Sequence, residues 1–150
     1  MFKHSFYIFS AILIHEIAHL ITMSFWGVKI KNFSFIGAGI ILTPTDDFRP
    51  KYQDFLIAIS GCFMNFFIAI VFANINETFA LCNLYLGLLN IMPSRNLDGG
   101  TAILKIFNSL IFLRILSFLM IFILIIYILI AGFNIFLCII TYFLIIDTLL

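Results

Sequence analysis

The stretch SAILIHEIAHLITMSFW, from Ser10 to Trp26, places three ionisable residues inside an apolar run that is long enough to enter a membrane. These residues are His15, Glu16 and His19. An ionisable side chain near the centre of a bilayer costs roughly 2.5 to 3.5 kcal/mol on insertion scales, so a segment that only crosses the membrane would leave such residues out. The stretch therefore predicts a helix that carries a chemical site within the membrane.

The composition of the whole chain agrees with a membrane location. Of its 150 residues, 64% are hydrophobic and 10% are charged, which lies far outside the range of soluble domains. The net charge of +1 comes without a basic cluster or an acidic tail, so nucleic acid is excluded as a partner class. The three cysteines stand far apart in apolar segments, which argues against a disulfide framework and against a CxxC metal motif.

The apolar runs predict an all-α polytopic membrane protein with about five membrane segments. The predicted segments are Ser5–Trp26, Asp54–Ala73, Phe79–Asn108, Leu110–Ile130 and Phe133–Leu150. The third contains NIMPSRNLDGG, and its proline and glycines predict a break at Pro93–Gly100. Between the first two segments, alternation with a period of two predicts a short membrane-associated β-hairpin over Val28–Leu42.

These segments are expected to form a single domain over residues 1–150, with a core at 5–108, two further spans at 109–150 and no attached soluble domain. If the first span runs from outside to inside, all basic residues except Lys3 fall on the cytoplasmic side. We therefore expect a multi-pass protein of the cell membrane, with the histidine motif and the break near the cytoplasmic leaflet. The basic residues on that side are Lys29, Lys31, Arg49, Lys51, Arg95, Lys105 and Arg114.

The HEIAH pattern predicts a metal site. His15 and His19 are four residues apart, so on a helix their side chains leave the same face about 40° apart, which suits two imidazoles that share one ion. Glu16 lies at the edge of the same face, where its carboxylate could polarise a water without acting as a ligand. The alternative is that all three are stray polar residues whose hydrogen bonds are satisfied by neighbouring groups.

A catalytic zinc site usually has three protein ligands, so a third is needed. Asp98 is favoured, because the break that contains it must lie at membrane depth, where irregular backbone is tolerated only if it is buried in protein or lines a wet cavity. The alternative role for Asp98 is an N-cap of the helix that follows. Cys62 and Asp147 are competing ligands, and three weaker ones are Asp54, Glu77 and His4.

In this order, HEIAH, a glycine-containing hairpin, GCFMN and NIMPSRNLDGG resemble the site-2 protease family of intramembrane zinc metalloproteases over roughly Leu13 to Ile106. The short connection after HEIAH is most similar to the sporulation branch, stage IV sporulation protein FB, which cleaves the pro-form of a sigma factor. The resemblance implies His15, His19 and Asp98 as ligands of one Zn²⁺ ion and Glu16 as the catalytic base. Asn65 and Asn90 match polar positions that orient the substrate or support the oxyanion.

The chain departs from the family pattern in three respects. Cys62 stands where the family's G-P-x-x-N has proline. An additional N-terminal span that is common in the sporulation branch is expected to be missing, and so is a C-terminal nucleotide-sensing (CBS) domain. These departures affect regulation and substrate identity, and they remove no ligand.

The predicted function is an intramembrane zinc metalloendopeptidase that cleaves a membrane-embedded or membrane-associated protein in regulated intramembrane proteolysis, and that has a membrane regulatory partner. Processing of a pro-sigma factor in sporulation is the finer version of this prediction. The alternative is a catalytically silent metal-binding membrane protein or partner scaffold. A third hypothesis, a small metal or proton transporter, gives no special purpose to the glutamate that follows His15.

Overall fold

The computed structural model describes residues 2–28, 30–36, 39–44 and 50–149, and it describes side chains at 3–28 and 50–149. Within these residues the chain forms six helices and two strands. In chain order they are α1 (Phe2–Phe25), β1 (Ile30–Ile36), β2 (Gly39–Pro44), α2 (Lys51–Phe72), α3 (Glu77–Asn90), α4 (Asp98–Phe107), α5 (Leu110–Ala131) and α6 (Ile135–Leu149).

Three of the described helices are long and apolar enough to cross a membrane, namely α1, α2 and α5, with 22 or 23 residues each in the qualifying span. At about 1.5 Å per residue, each covers roughly 33 Å, a little more than the hydrocarbon of a typical bilayer. This supports a membrane protein. The prediction of about five membrane segments is not supported, because α3 has 14 residues and α6 has 15, and neither reaches the roughly 20 that a crossing needs.

Short polar signals decide where the apolar helices begin and end. The side chain of Asn76 caps α3 by accepting a hydrogen bond from the Phe79 amide at 3.1 Å, and Ser109 caps α5 by accepting from the Phe112 amide at 3.2 Å. Asn108 ends α4 in the left-handed conformation, with φ +49°. These caps divide a nearly continuous apolar sequence into separate helices.

The strands β1 and β2 pair in antiparallel fashion, from Ile36 opposite Gly39 to Ile30 opposite Pro44, with a register irregularity between Ile30 and Asn32. They lie where the sequence predicts a hairpin. Residues 37 and 38, which would form its turn, are outside the described residues, as are residues 45–49 of the predicted loop. The hairpin and its association with the membrane therefore stay predictions.

Helix α2 lies at the centre of the packing and contacts α1, α3 and α4, while α5 and α6 pack against each other and α5 also contacts α4. Small buried residues such as Ala11, Ala18, Ala58 and Ala69 let the helices approach closely. Large apolar side chains such as Ile70 and Ile111 are exposed, whereas the amide of Asn65 is fully buried. Polar groups inside and apolar groups outside are the arrangement expected of a protein surrounded by lipid.

Candidate metal centre

The two imidazoles of α1 face each other on one side of the helix. The Nε2 atoms of His15 and His19 are 3.1 Å apart, and the ring centroids are 4.8 Å apart. Both side chains are nearly enclosed, with 6% and 12% of their surface exposed. The spacing of four residues has placed both rings against the neighbouring helices and away from lipid.

The carboxylate of Asp98 joins this pair from the break between α3 and α4. Its Oδ2 lies 2.8 Å from His15 Nε2 and 3.2 Å from His19 Nε2. Ligand bonds of about 2.0 to 2.1 Å around a tetrahedral zinc ion leave ligand atoms roughly 3.3 Å apart, so the three atoms are already close to that spread. Asp98 is the first residue of α4 and Leu97 is its N-cap, so a role for Asp98 as the N-cap is wrong.

The hydrogen bonds of His19 fix which of its nitrogens faces the cluster. His19 Nδ1 donates to the carbonyl of Ile57 at 2.7 Å, with the hydroxyl oxygen of Ser60 3.2 Å away. Since neutral imidazole carries one proton, Nε2 then presents a lone pair to the carboxylate of Asp98, which also only accepts. Two acceptors at this distance are stabilised by a shared cation, and a backbone carbonyl on the far nitrogen is the usual support of a metal-binding histidine.

Gly61 of α2 makes room for both imidazoles. A Cβ atom at this position would lie 2.5 Å from His19 Nε2 and 2.6 Å from His15 Nε2, closer than real Cβ contacts come. The absence of a side chain lets the backbone of α2 form one wall of the cluster. In the sequence, Gly61 attracts notice only as part of GCFMN, so its role against the imidazoles was missed.

Gly99 and Gly100 play the same part on the other side of the site. A Cβ atom at Gly99 would overlap the carbonyl of Ile91, and one at Gly100 would overlap the carbonyl of Ser94. The residues of the break therefore fold directly onto the first turn of α4. This close contact aims the carboxylate of Asp98 at the two imidazoles.

The other predicted site residues differ in burial and in hydrogen bonding. Glu16 is half-buried on α1, next to His15. Asn65 of α2 is fully buried, and neither atom of its amide has a hydrogen-bond partner among the described residues. Asn90 is half-buried at the end of α3, where its amide nitrogen donates to the carbonyl of Leu86 at 3.1 Å.

The competing ligands do not join the three atoms. The thiol of Cys62 is buried and lies 3.8 Å from Asp98 Oδ2, while the carboxylate of Asp147 binds residues of the break. Asp54 pairs with Lys105 at 3.3 Å. Glu77 lies in the first turn of α3, and His4 is exposed near the start of α1. Among the described residues, the group of ligating side chains close enough to hold an ion is His15, His19 and Asp98, within 4.8 Å of one another.

Comparison with known proteins finds a sequence relative and a solved structure with a similar fold. No family model matches the chain. A zinc metalloprotease of Methanocaldococcus jannaschii is 31% identical to it over 106 residues, which cover 62% of this chain and 31% of the relative. The chain thus spans about a third of the length of that relative.

The solved structure is a site-2 protease, also from Methanocaldococcus jannaschii. It superposes with a TM-score of 0.67 and 23% sequence identity, covering 95% of this chain and 74% of that one. This likeness shows the fold. The chain therefore has the fold of a site-2 protease and resembles part of a zinc metalloprotease in sequence, and neither comparison reaches the sporulation branch.

Proposed function

We propose that this chain is an intramembrane zinc metalloendopeptidase. The observation that carries the proposal is the meeting of His15, His19 and Asp98, from two separate elements, beside Glu16 and within apolar helices. The relative named as a zinc metalloprotease and the site-2 protease fold support the same activity. A site that only binds metal would not need Glu16 between His15 and His19 in the sequence, whereas a hydrolytic site needs a general base there.

In this proposal His15, His19 and Asp98 hold one zinc ion. The Nδ1–H group of His19 stays hydrogen-bonded to the carbonyl of Ile57. When bound, zinc supplies Lewis acidity that polarises the scissile carbonyl and acidifies the attacking water. Glu16 accepts the proton of that water and passes it to the leaving amine. Glu16 is half-buried, so its carboxylate is not sealed off from water.

Asn65 and Asn90 are the proposed supports for substrate or oxyanion. Asn65 is better suited, since a fully buried amide with no partner for either atom costs free energy unless a ligand completes its hydrogen bonds. The amide nitrogen of Asn90 already donates to a carbonyl of its own helix, so only its second N–H and its amide oxygen are available to a substrate. An amide donor near a developing oxyanion lowers the barrier to acyl transfer.

The proposed substrate is a membrane-embedded or membrane-associated protein. A substrate helix hides its peptide bonds in internal hydrogen bonds, and the edge of the β1–β2 pair could hold the unwound segment by strand addition. The finer parts of the proposal are a single domain over residues 1–150, a multi-pass location in the cell membrane, and a site near the cytoplasmic leaflet. They further include a membrane regulatory partner and the processing of a pro-sigma factor.

The test is Glu16→Gln, with zinc content and cleavage of co-expressed single-span reporter proteins both measured. We expect zinc to be retained and cleavage to fall by roughly 100- to 10,000-fold, because the variant loses the proton acceptor and keeps all three ligands. Glu77→Gln, which changes a carboxylate in the first turn of α3, is the matched control and should cleave normally.

Undiminished cleavage by Glu16→Gln would contradict the proposal. A wild-type chain that binds zinc and cuts no reporter would favour a silent metal-binding protein or scaffold instead.

A further inference from the structure

A buried carboxylate of the last helix binds the loop that leads into Asp98. Asp147 of α6 is 9% exposed. Its Oδ2 accepts a hydrogen bond from the backbone amide of Arg95 at 2.9 Å, and its Oδ1 accepts from the side-chain amide of Asn96 at 2.6 Å. The two donors stand three and two residues before Asp98 in the chain.

A second polar contact reaches the same loop from α5. The buried hydroxyl of Ser117 donates to the carbonyl of Pro93, and it also lies 2.9 Å from the carbonyl of Leu113 in its own helix. The rest of α5 and α6 is strongly apolar in sequence. Of the four buried polar side chains of this helix pair, Ser117 and Asp147 bind the loop, whereas Thr141 and Thr148 bond within α6.

These contacts add to those that the loop makes with α4. The carbonyls of Ile91 and Ser94 lie close against Gly99 and Gly100, and Asp147 and Ser117 bind the loop by hydrogen bonds from α6 and α5. A carboxylate in an apolar environment is costly unless it is hydrogen-bonded. The two hydrogen bonds of Asp147 to the loop are therefore strongly favoured over an arrangement in which its carboxylate has no partner. The loop is left with little freedom to shift.

We propose that Asp147 is a positioning residue for the metal centre: by binding Arg95 and Asn96 it fixes the loop so that the carboxylate of Asp98 meets His15 and His19. This inference rests on the proposed function, in which Asp98 is a ligand. It gives a role to a carboxylate that the sequence offers only as a competing ligand, and it makes α6 part of the site without contact to the ion.

The test removes the acceptors at 147 and then restores the contact with the two partners exchanged. Asp147→Ala removes both acceptor oxygens, so the backbone amide of Arg95 and the side-chain amide of Asn96 lose their partner. In the double variant Asp147→Asn with Asn96→Asp, the amide at 147 can accept from Arg95 and donate to the new carboxylate at 96. Thr141→Val is the control, because the buried hydroxyl of Thr141 bonds only within α6, to the carbonyl of Leu137 at 2.8 Å.

The readouts are metal affinity in detergent, measured by competition of Zn²⁺ or Co²⁺ with a chelator, and the kcat and KM of reporter cleavage. We expect Asp147→Ala to weaken metal binding by about tenfold, the lower end of the effects of outer partners of metal ligands. It should lower kcat by a similar factor with KM within about twofold, since the contact acts on the metal centre and leaves substrate binding alone. The double variant should recover most of both losses, and Thr141→Val should match the wild type.

The inference is overturned if Asp147→Ala binds metal as the wild type does, if the double variant restores nothing, or if Thr141→Val is equally impaired. Metal affinity needs no substrate, so it separates this inference from the proposed function. A wild-type chain that binds metal and cleaves nothing would contradict the protease proposal and leave the effect of Asp147 measurable. A wild-type chain without metal affinity would overturn both.

Discussion

The two halves of the candidate metal centre are built in different ways. His15 and His19 lie on an unbroken helix, and the helical period alone brings their rings to one face. Asp98 lies at the start of a short helix after an irregular loop, and its position depends on contacts with α4, α5 and α6. The positions of the two histidines are thus set by neighbouring residues, whereas the position of Asp98 depends on residues as distant in the chain as Ser117 and Asp147.

This difference predicts unequal sensitivity to substitution. Changes around α1 should act on the site when they remove a ligand or fill the space beside it. Changes around the break should act from a distance, because the loop has no helical hydrogen-bond ladder of its own and depends on its neighbours. The comparison also explains why the break is rich in residues that allow close approach of backbone, with Gly99 and Gly100 directly after Asp98.

The largest effect is expected from removing a ligand in either half. His15→Ala and Asp98→Ala should both weaken zinc binding by more than the roughly 10- to 100-fold typical of outer partners, and both should stop cleavage. Removal of the metal by a chelator should stop cleavage by the wild type. Zinc content and reporter cleavage are the measurements, with His4→Ala, an exposed histidine of the same helix, as the control. Normal zinc in Asp98→Ala would show that the break does not supply the third ligand.

A smaller effect is expected from filling the space beneath the loop. Gly99→Ala puts a Cβ atom onto the backbone of Ile91 and Met92, which cannot rotate away, so we expect a loss of about 3 kcal/mol of unfolding free energy. Gly87→Ala is the control, because its Cβ would meet the ring of Phe66 at 2.8 Å and that ring can turn aside, at a cost of about 1 kcal/mol. Thermal unfolding in detergent compares the two. Equal stability of both variants would mean that the break tolerates movement and is not the rigid half described above.

The smallest effect is expected at the edge of the molecule, where α2 and α4 are joined by an ion pair. Lys105 Nζ lies 3.3 Å from Asp54 Oδ2, and the lysine side chain is 46% exposed. Exposed ion pairs contribute about 0 to 1 kcal/mol, so Lys105→Met should change unfolding by about 0.5 kcal/mol or less and leave zinc content unchanged. Lys51→Met, at an exposed position at the start of α2, is the matched control. A marked loss of zinc in Lys105→Met alone would mean that α4 is held mainly at its surface.

Much of the helix pattern could be predicted from the sequence, because apolar runs and polar caps are local signals. The bounds of α1, α2 and α5 differ from the predicted spans by only a few residues. The prediction of about five membrane segments is not supported at α3 and α6, which have 14 and 15 residues. At α3 the Asn76 cap and the predicted break limit the helix. Asp98 was weighed as an N-cap because aspartate suits that position, yet the helix begins one residue earlier than such a cap allows.

The roles of Asp147 and Gly61 could not be predicted, since both act on residues far away in the chain. Asp147 stands 51 and 52 residues from its partners Asn96 and Arg95, and nothing in the local sequence indicates which backbone it binds. Gly61 contacts imidazoles of another helix. A pattern of residue types carries no information on such contacts unless the packing of the helices is known.

The sequence by itself determined a membrane chain with two histidines and a glutamate on one helical face, because periodicity and composition act through neighbouring residues. Only the tertiary structure decided that Asp98 completes the group, with Cys62 beside it and Asp147 behind the loop. The physical reason is that an irregular backbone takes its shape from the surfaces it packs against. In this protein those surfaces are the glycines of α4 and the buried polar groups of α5 and α6.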